Sequence, residues 1–136
     1  MHKMDREPYI IEFKKIGNPA DGYISVAEIE SAVPFKIERV YWTYYTPESV
    51  TRGRHAHYTT KQILMAVAGK ITVYTELPDG KTREFILDSP TQGVYIPPQV
   101  WHTMKYSHNA VQLVIASALY NESDYIRSYD DFKKSK

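Results

Sequence analysis

Between Lys70 and Leu87 the chain alternates apolar and polar side chains on both sides of an Asp79-Gly80 pair. Ile71, Val73 and Thr75 stand against Thr72, Tyr74 and Glu76, and Arg83–Leu87 runs back. A period of two sends successive side chains to opposite faces, and Asp-Gly is a dipeptide that closes a tight hairpin. This stretch therefore reads as two antiparallel strands with one buried face.

The same pattern of short run and turn recurs along the chain. Tyr9–Phe13, Tyr23–Ile29, Phe35–Trp42, Lys61–Ala68, Gly93–Ile96, Trp101–Tyr106 and Val111–Ser117 are strand candidates. Residues from Lys14 through Gly17, Pro19 and Asp21-Gly22 read as a loop, and Pro47-Glu48, Gly69 and Pro97-Pro98 end other runs. Residues 1–8 read as a loose polar lead, and His2 and His108 as surface residues. Only Ser123–Lys136 has helical character, with Tyr125, Ile126, Tyr129 and Phe132 spaced to share a face that docks on the strands. Many short strands without a long helix predict an all-β sandwich or small barrel with a short C-terminal helix, as one domain over residues 1–136.

Composition narrows the function. A net charge of +1 gives no field to recruit nucleic acid or a membrane surface, so an anionic partner must be met by local arginines. No apolar run approaches the ~20 residues of a membrane helix. The absence of cysteine excludes disulfides, thiolate metal sites and cysteine nucleophiles. With no apolar signal segment among the first residues, the expected setting is the cytoplasm. Twelve tyrosines and two tryptophans are available to line a groove or simply to fill strands.

The chemistry concentrates in Arg52-Gly53-Arg54-His55-Ala56-His57. If this is a strand, His55 and His57 share a face, and two imidazoles beside arginines suit either a metal or an anionic substrate. Gln62 and Gly69 follow, and a second block runs from Gly93 through Pro97 to His102. Together these blocks resemble the paired motifs of the cupin jelly-roll superfamily, in which three His and one Glu usually bind one metal inside the barrel. Gln62 stands where the metal-binding members carry that Glu.

A more specific resemblance covers nearly the whole chain. Phe35–Tyr41, Arg52-Gly53-x-His55-Ala56-His57, Gln62, Gly93-x-Tyr95-Ile96-x-Pro98-x-Val100-Trp101-His102-x-Met104 and Ser123–Arg127 with Tyr129 occur in the order seen in nucleotide-sugar 3,4-ketoisomerases. That family converts dTDP-4-keto-6-deoxyglucose to a 3-keto isomer. The resemblance implies a cupin-type jelly roll and an enzyme that uses no metal and no cofactor. It also implies a dTDP-linked sugar as partner, a homodimer that exchanges N-terminal strands, and a role in making unusual deoxyamino sugars of bacterial surface glycans. Arg54 departs from the family's usual aromatic, and Tyr58-Thr59-Thr60 from its Lys-rich stretch.

The family reaction needs a base for the proton on carbon 3, an enediol or enediolate, and an acid at carbon 4. Imidazole, with an ordinary pKa of about 6.5, serves in either direction near neutrality. Catalysis is accordingly expected of His55, His57 and Tyr41, the last as a donor to the developing oxyanion. Substrate binding is expected of Arg39 and Arg52 at the diphosphate, and of Gln62, Tyr95, Trp101 and His102 around the sugar and base. On the residues alone, Arg39 also reads as a solvated strand charge, Tyr41 as a packing residue and His102 as a core histidine. Two rival functions stay open: a dioxygenase-like metal cupin using His55, His57 and His102, and a non-catalytic sugar-binding cupin. The epimerases that share the jelly roll are a nearer alternative.

Overall fold

The computed structural model describes residues 6–135. Its strands are β1 (Tyr9–Glu12), β2 (Lys14–Asn18), β3 (Gly22–Val26), β4 (Arg39–Tyr44), β5 (Thr51–His57), β6 (Gln62–Ala68), β7 (Ile71–Glu76), β8 (Thr82–Leu87), β9 (Gln92–Ile96), β10 (Trp101–Tyr106), β11 (Val111–Ala116) and β12 (Tyr125–Ile126). One short helix, α1 (Tyr129–Lys134), follows. Two five-stranded antiparallel sheets, in the orders β1-β9-β6-β11-β4 and β12-β5-β10-β7-β8, make a jelly roll, and β2 and β3 form a separate hairpin.

The alternation read around Asp79-Gly80 becomes the β7–β8 hairpin. Ile71, Val73 and Thr75 are buried while Tyr74 is exposed, and Thr75 donates its hydroxyl proton to the Arg83 carbonyl. Inward side chains of both sheets (Leu64, Ile71, Val73, Phe85, Leu87, Val94, Ile96 and Val114) meet in one core. Each large aliphatic buried this way contributes about 1.5–3 kcal/mol. A second cluster lies on the outer face of the first sheet, where Ile63, Met65, Tyr95 and Ile115 are covered by Phe13, Val33, Phe35 and Ile37. β6 is thus buried on both faces along most of its length, which explains its unbroken apolar run Ile63-Leu64-Met65.

Four expectations need correction. Lys14–Asn18 is β2 rather than a loop: all five residues are exposed, so no burial pattern marked the strand. Its turn is held by Asn18, whose Oδ1 accepts from the backbone N–H of Ala20 and Asp21. The strand expected over Tyr23–Ile29 stops at Val26. The strand expected over Phe35–Trp42 starts at Arg39 and runs on to Tyr44, because Phe35 and Ile37 cover the second cluster instead of joining a ladder. The helix expected over Ser123–Lys136 is confined to six residues, preceded by a 3-10 turn at Glu122–Asp124 and by β12. Ser128 caps it, its hydroxyl accepting from Asp131 N–H, so Tyr125 and Ile126 belong to a strand. His108 is exposed as expected, whereas His2 lies outside the described residues.

Candidate active site

Strand register gathers the site. In the second sheet, β10 pairs with β5 so that His102 faces His55, and β12 pairs with β5 so that Tyr125 faces His57. Directly opposed residues bring their side chains within contact. The ring centroids of His55 lie 5.0 Å from His57 and 4.8 Å from His102, and those of His57 and His102 are 6.1 Å apart. Tyr125 stands edge-on to both members of the pair, 5.1 Å from His55 and 4.5 Å from His57.

β5 is not a regular strand where this happens. Gly53 (φ 85°) and Arg54 (φ 61°) both lie in the left-handed region, and the pairing with β10 slips between His102 and Thr103. A Cβ on Gly53 would come within 2.9 Å of the His102 carbonyl oxygen, so glycine serves both the turn and the close approach. The bulge directs the His55 ring so that its Nδ1 lies 3.1 Å from the Gly53 carbonyl. His102 Nδ1 lies 3.0 Å from the Val100 carbonyl in the same way. A carbonyl only accepts, so these bonds assign the proton to Nδ1 and leave Nε2 of each ring with a free lone pair.

Burial pushes all three imidazoles down. His55 falls to about 2, through burial first and then the neighbouring His102 and His57. His57 falls to about 3, through burial, His102, Arg39 and Arg127. His102 falls to about 4 through burial, against the opposing bond to Val100. At neutral pH the site therefore holds neutral bases.

Across the barrel, β4 alternates Arg39, Tyr41 and Thr43 inward with Val40, Trp42 and Tyr44 outward. Gln62 Nε2 donates to the Tyr41 hydroxyl oxygen at 2.8 Å, which leaves the Tyr41 O–H proton free to donate elsewhere. Burial, and then Tyr125, raise the Tyr41 pKa against Arg39 and the Gln62 bond, so Tyr41 is a proton donor rather than a phenolate. The Arg39 guanidinium lies 5.2 Å from the Tyr41 ring, and its Nε is buried without a hydrogen-bond partner among the described residues. A cavity of about 80 Å³ runs among Tyr41, Arg52, His55, Gln62, His102 and Gln112.

The structure thus brings Tyr41, Arg52, His55, Gln62 and His102 to one cavity, with His57 and Arg39 beside it. Tyr95 and Trp101 are elsewhere. Tyr95 packs in the outer cluster against Tyr9 (5.0 Å) and Phe35 (6.4 Å). Trp101 precedes inward-facing His102 and so points outward, onto Tyr129 and Phe132. Tyr125, expected on a helix face, is instead part of the site. A clamp sets it there: the Asp124 carboxylate accepts from the backbone N–H and hydroxyl groups of both Thr59 and Thr60. Arg127 lies over the outer face of the Tyr125 ring at 4.2 Å and is paired with Glu122.

If a metal ion were held, His55, His57 and His102 would be its donors. Among the described residues no group of three or more His, Asp or Glu side chains is arranged to hold one. Gln62 supplies a neutral amide where a hard cation would favour a carboxylate.

A jelly roll whose interior carries opposed imidazoles and a hydrogen-bonded tyrosine defines a cupin-type barrel with neutral bases and a proton donor around one cavity. Residues 6–136 match the family model described as FdtA: WxcM-like, C-terminal, and the chain belongs to that family. It is 42% identical over 130 residues to TDP-4-oxo-6-deoxy-alpha-D-glucose-3,4-oxoisomerase of Aneurinibacillus thermoaerophilus, covering 94% of this chain and 91% of that one. It also resembles the sugar 3,4-ketoisomerase QdtA of Thermoanaerobacterium thermosaccharolyticum, solved with TDP, at 34% identity, a TM-score of 0.88, and coverage of 93% and 92% of the two chains. A 3,4-ketoisomerase from Helicobacter canadensis gives 32% identity and a TM-score of 0.89, covering 94% and 96%.

Proposed function

We propose that this protein is a 3,4-ketoisomerase that moves the ketone of TDP-4-keto-6-deoxyglucose from carbon 4 to carbon 3. The observation that carries the reading is the pairing of neutral, inward-facing His55 and His57 with a protonated Tyr41 across one cavity. A neutral His55 takes the carbon-3 proton through Nε2. Tyr41, steadied by Gln62, donates to the oxygen where negative charge builds, and the enediolate partly offsets the cost of a buried imidazolium. His57, in edge contact with His55, receives or orients that proton, and a proton is then returned to carbon 4. Arg39 and Arg52 meet the diphosphate through their planar forks.

Incubation with the substrate in deuterated water should yield a 3-keto sugar carrying solvent deuterium at carbon 4. Exchange without relocation of the carbonyl would indicate an epimerase, and binding without exchange a sugar-binding module. Activity that disappears with chelator and returns with iron, zinc or manganese would favour the metal reading.

The reading extends to assembly as a homodimer. Edge strand β4 shows solvent Val40, Trp42 and Tyr44, and the β2–β3 hairpin, which pairs with no other strand among the described residues, exposes Ile16, Tyr23 and Ile24. Within one chain β1 pairs with β9, so an exchange of N-terminal strands would replace that pairing with an identical one from a second copy. Light scattering on Trp42→Lys, with monomer expected, tests it.

A further inference from the structure

Gln112 is 1% exposed, on the inward face of β11, two ladder positions from Val114, which faces Tyr41 on β4. Its two ends are treated differently. Oε1 accepts the hydroxyl proton of buried Tyr106 at 2.7 Å. Nε2 is buried and, among the described residues, has no hydrogen-bond partner. Gln112 is one of the residues lining the cavity that Arg52, His55 and His102 also line. A buried N–H without an acceptor costs about 1–3 kcal/mol. Aliphatic side chains serve the same interior without that cost, at Val94 two strands away in the same sheet and at Val73 in the facing one.

Tyr106 fixes which end of the amide is free. Burial pushes its phenol up to about 12, with Arg52 opposing, so it keeps its proton, and in the structure that proton is given to the amide oxygen. Gln62 is the complementary case: its nitrogen is bound by Tyr41, and its Oε1 is the buried atom left over. Beside the free Tyr41 O–H and the Nε2 lone pairs of His55 and His102, the cavity thus has a spare amide donor and a spare amide acceptor on neighbouring strands β11 and β6, a pattern suited to an oxygen-rich ring and not to an apolar ligand.

The geometry points to Gln112 as a recognition residue for the sugar ring, donating from Nε2 to a ring-bound oxygen, with Tyr106 as the residue that orients it. This rests on the ketoisomerase reading and adds a substrate contact to it. A site built to hydrogen-bond a ligand oxygen discriminates strongly against a ligand that lacks it, because the buried group is then left unpaired. Gln112 should accordingly separate a sugar nucleotide from the bare nucleotide.

The test is calorimetric titration in a His55→Asn background, chosen to slow turnover of the keto sugar during the measurement. Thymidine diphosphate and TDP-4-keto-6-deoxyglucose are titrated into this parent and into the parent carrying Gln112→Leu. The substitution should weaken the keto-sugar nucleotide roughly five- to tenfold, the loss of one buried hydrogen bond, and leave thymidine diphosphate within about twofold. Equal loss for both ligands, or loss for neither, overturns the assignment. Gln112→Met, judged by the same ratio of the two affinities, replaces the leucine variant if that one melts early. Binding of neither nucleotide by the parent would remove the ketoisomerase reading and the subsite with it, whereas unchanged affinities in the variant would remove Gln112 alone.

Discussion

β7 and β5 flank the same strand, β10, and send side chains into the same barrel, yet they are built to opposite ends. β7 pairs without a break, six residues against β10 and six against β8, and fills its inward positions with Ile71, Val73 and Thr75. β5 loses register beside His102, turns left-handed at Gly53 and Arg54, and presents His55 and His57. The first strand buries groups that gain from leaving water. The second buries groups whose charged forms burial disfavours, as the lowered pKa values of all three imidazoles record. Placed side by side, they show a jelly roll stabilised along one flank and made reactive along the other, with β10 contributing His102 to the second and Met104 to both.

Exchanging effects between the two flanks should break this contrast if it is wrong. His55→Asn should lower kcat about 10²–10⁴-fold, the usual range for a general base, with little change in melting temperature. Ile71→Ala should do the reverse, costing about 2–5 kcal/mol of stability while kcat per folded molecule stays at the wild-type value. Steady-state kinetics beside thermal melts decide both, and a large rate loss for Ile71→Ala would end the division of labour. Tyr41→Phe, which removes one donor to the oxyanion, should cost about 10²–10³ in kcat, and substrate KM should change much less.

Acidity gives a smaller effect with a definite sign. The folded-state pKa values of His55, His57 and His102 lie below the unfolded value of 6.5, so the unfolded chain binds more protons as pH falls. The stability these neutral rings contribute is complete above pH 6.5 and declines as pH drops, down to about 4 for His102, about 3 for His57 and about 2 for His55. Melting curves from pH 7.5 to 4.5 should show that slope, flattened in His102→Gln. The acid limb of kcat/KM should sit below 6.5 for the same reason. The smallest expected change is in Arg54→Gly: relieving a non-glycine residue at φ 61° should leave stability within about 1 kcal/mol of wild type and spare kcat.

The regular flank was the legible one. Alternation and Asp79-Gly80 located β7 and β8, and the structure shows why: Gly80 takes φ 96°, and Asp79 Oδ1 accepts from Lys81 N–H to close the turn. The His55–His57 pair was also legible, because an i, i+2 spacing survives even in a bulged strand. Tyr125 was not. Its spacing to Tyr129 and Phe132 mimics a helix face, and a two-residue strand is too short to carry a period of its own. Gln112 escaped notice for a different reason. It lies among Val111, Leu113, Val114 and Ile115, in a run that reads as continuous core, and only the sheet register shows which way it points. Trp101 and Tyr95 were placed with the cavity by proximity in sequence, whereas neighbours in sequence occupy opposite faces of a strand and both rings pack away from it within the chain.

The Asp124 clamp bears on how the molecule comes to life during synthesis. Thr59 and Thr60 leave the ribosome well before the residue that will hold them, and His57 waits equally long for the aromatic ring opposite it. A nascent chain can have its barrel strands paired and still lack the piece that closes its reactive pair. The pair is enclosed only once the segment around Tyr125 has docked against β5.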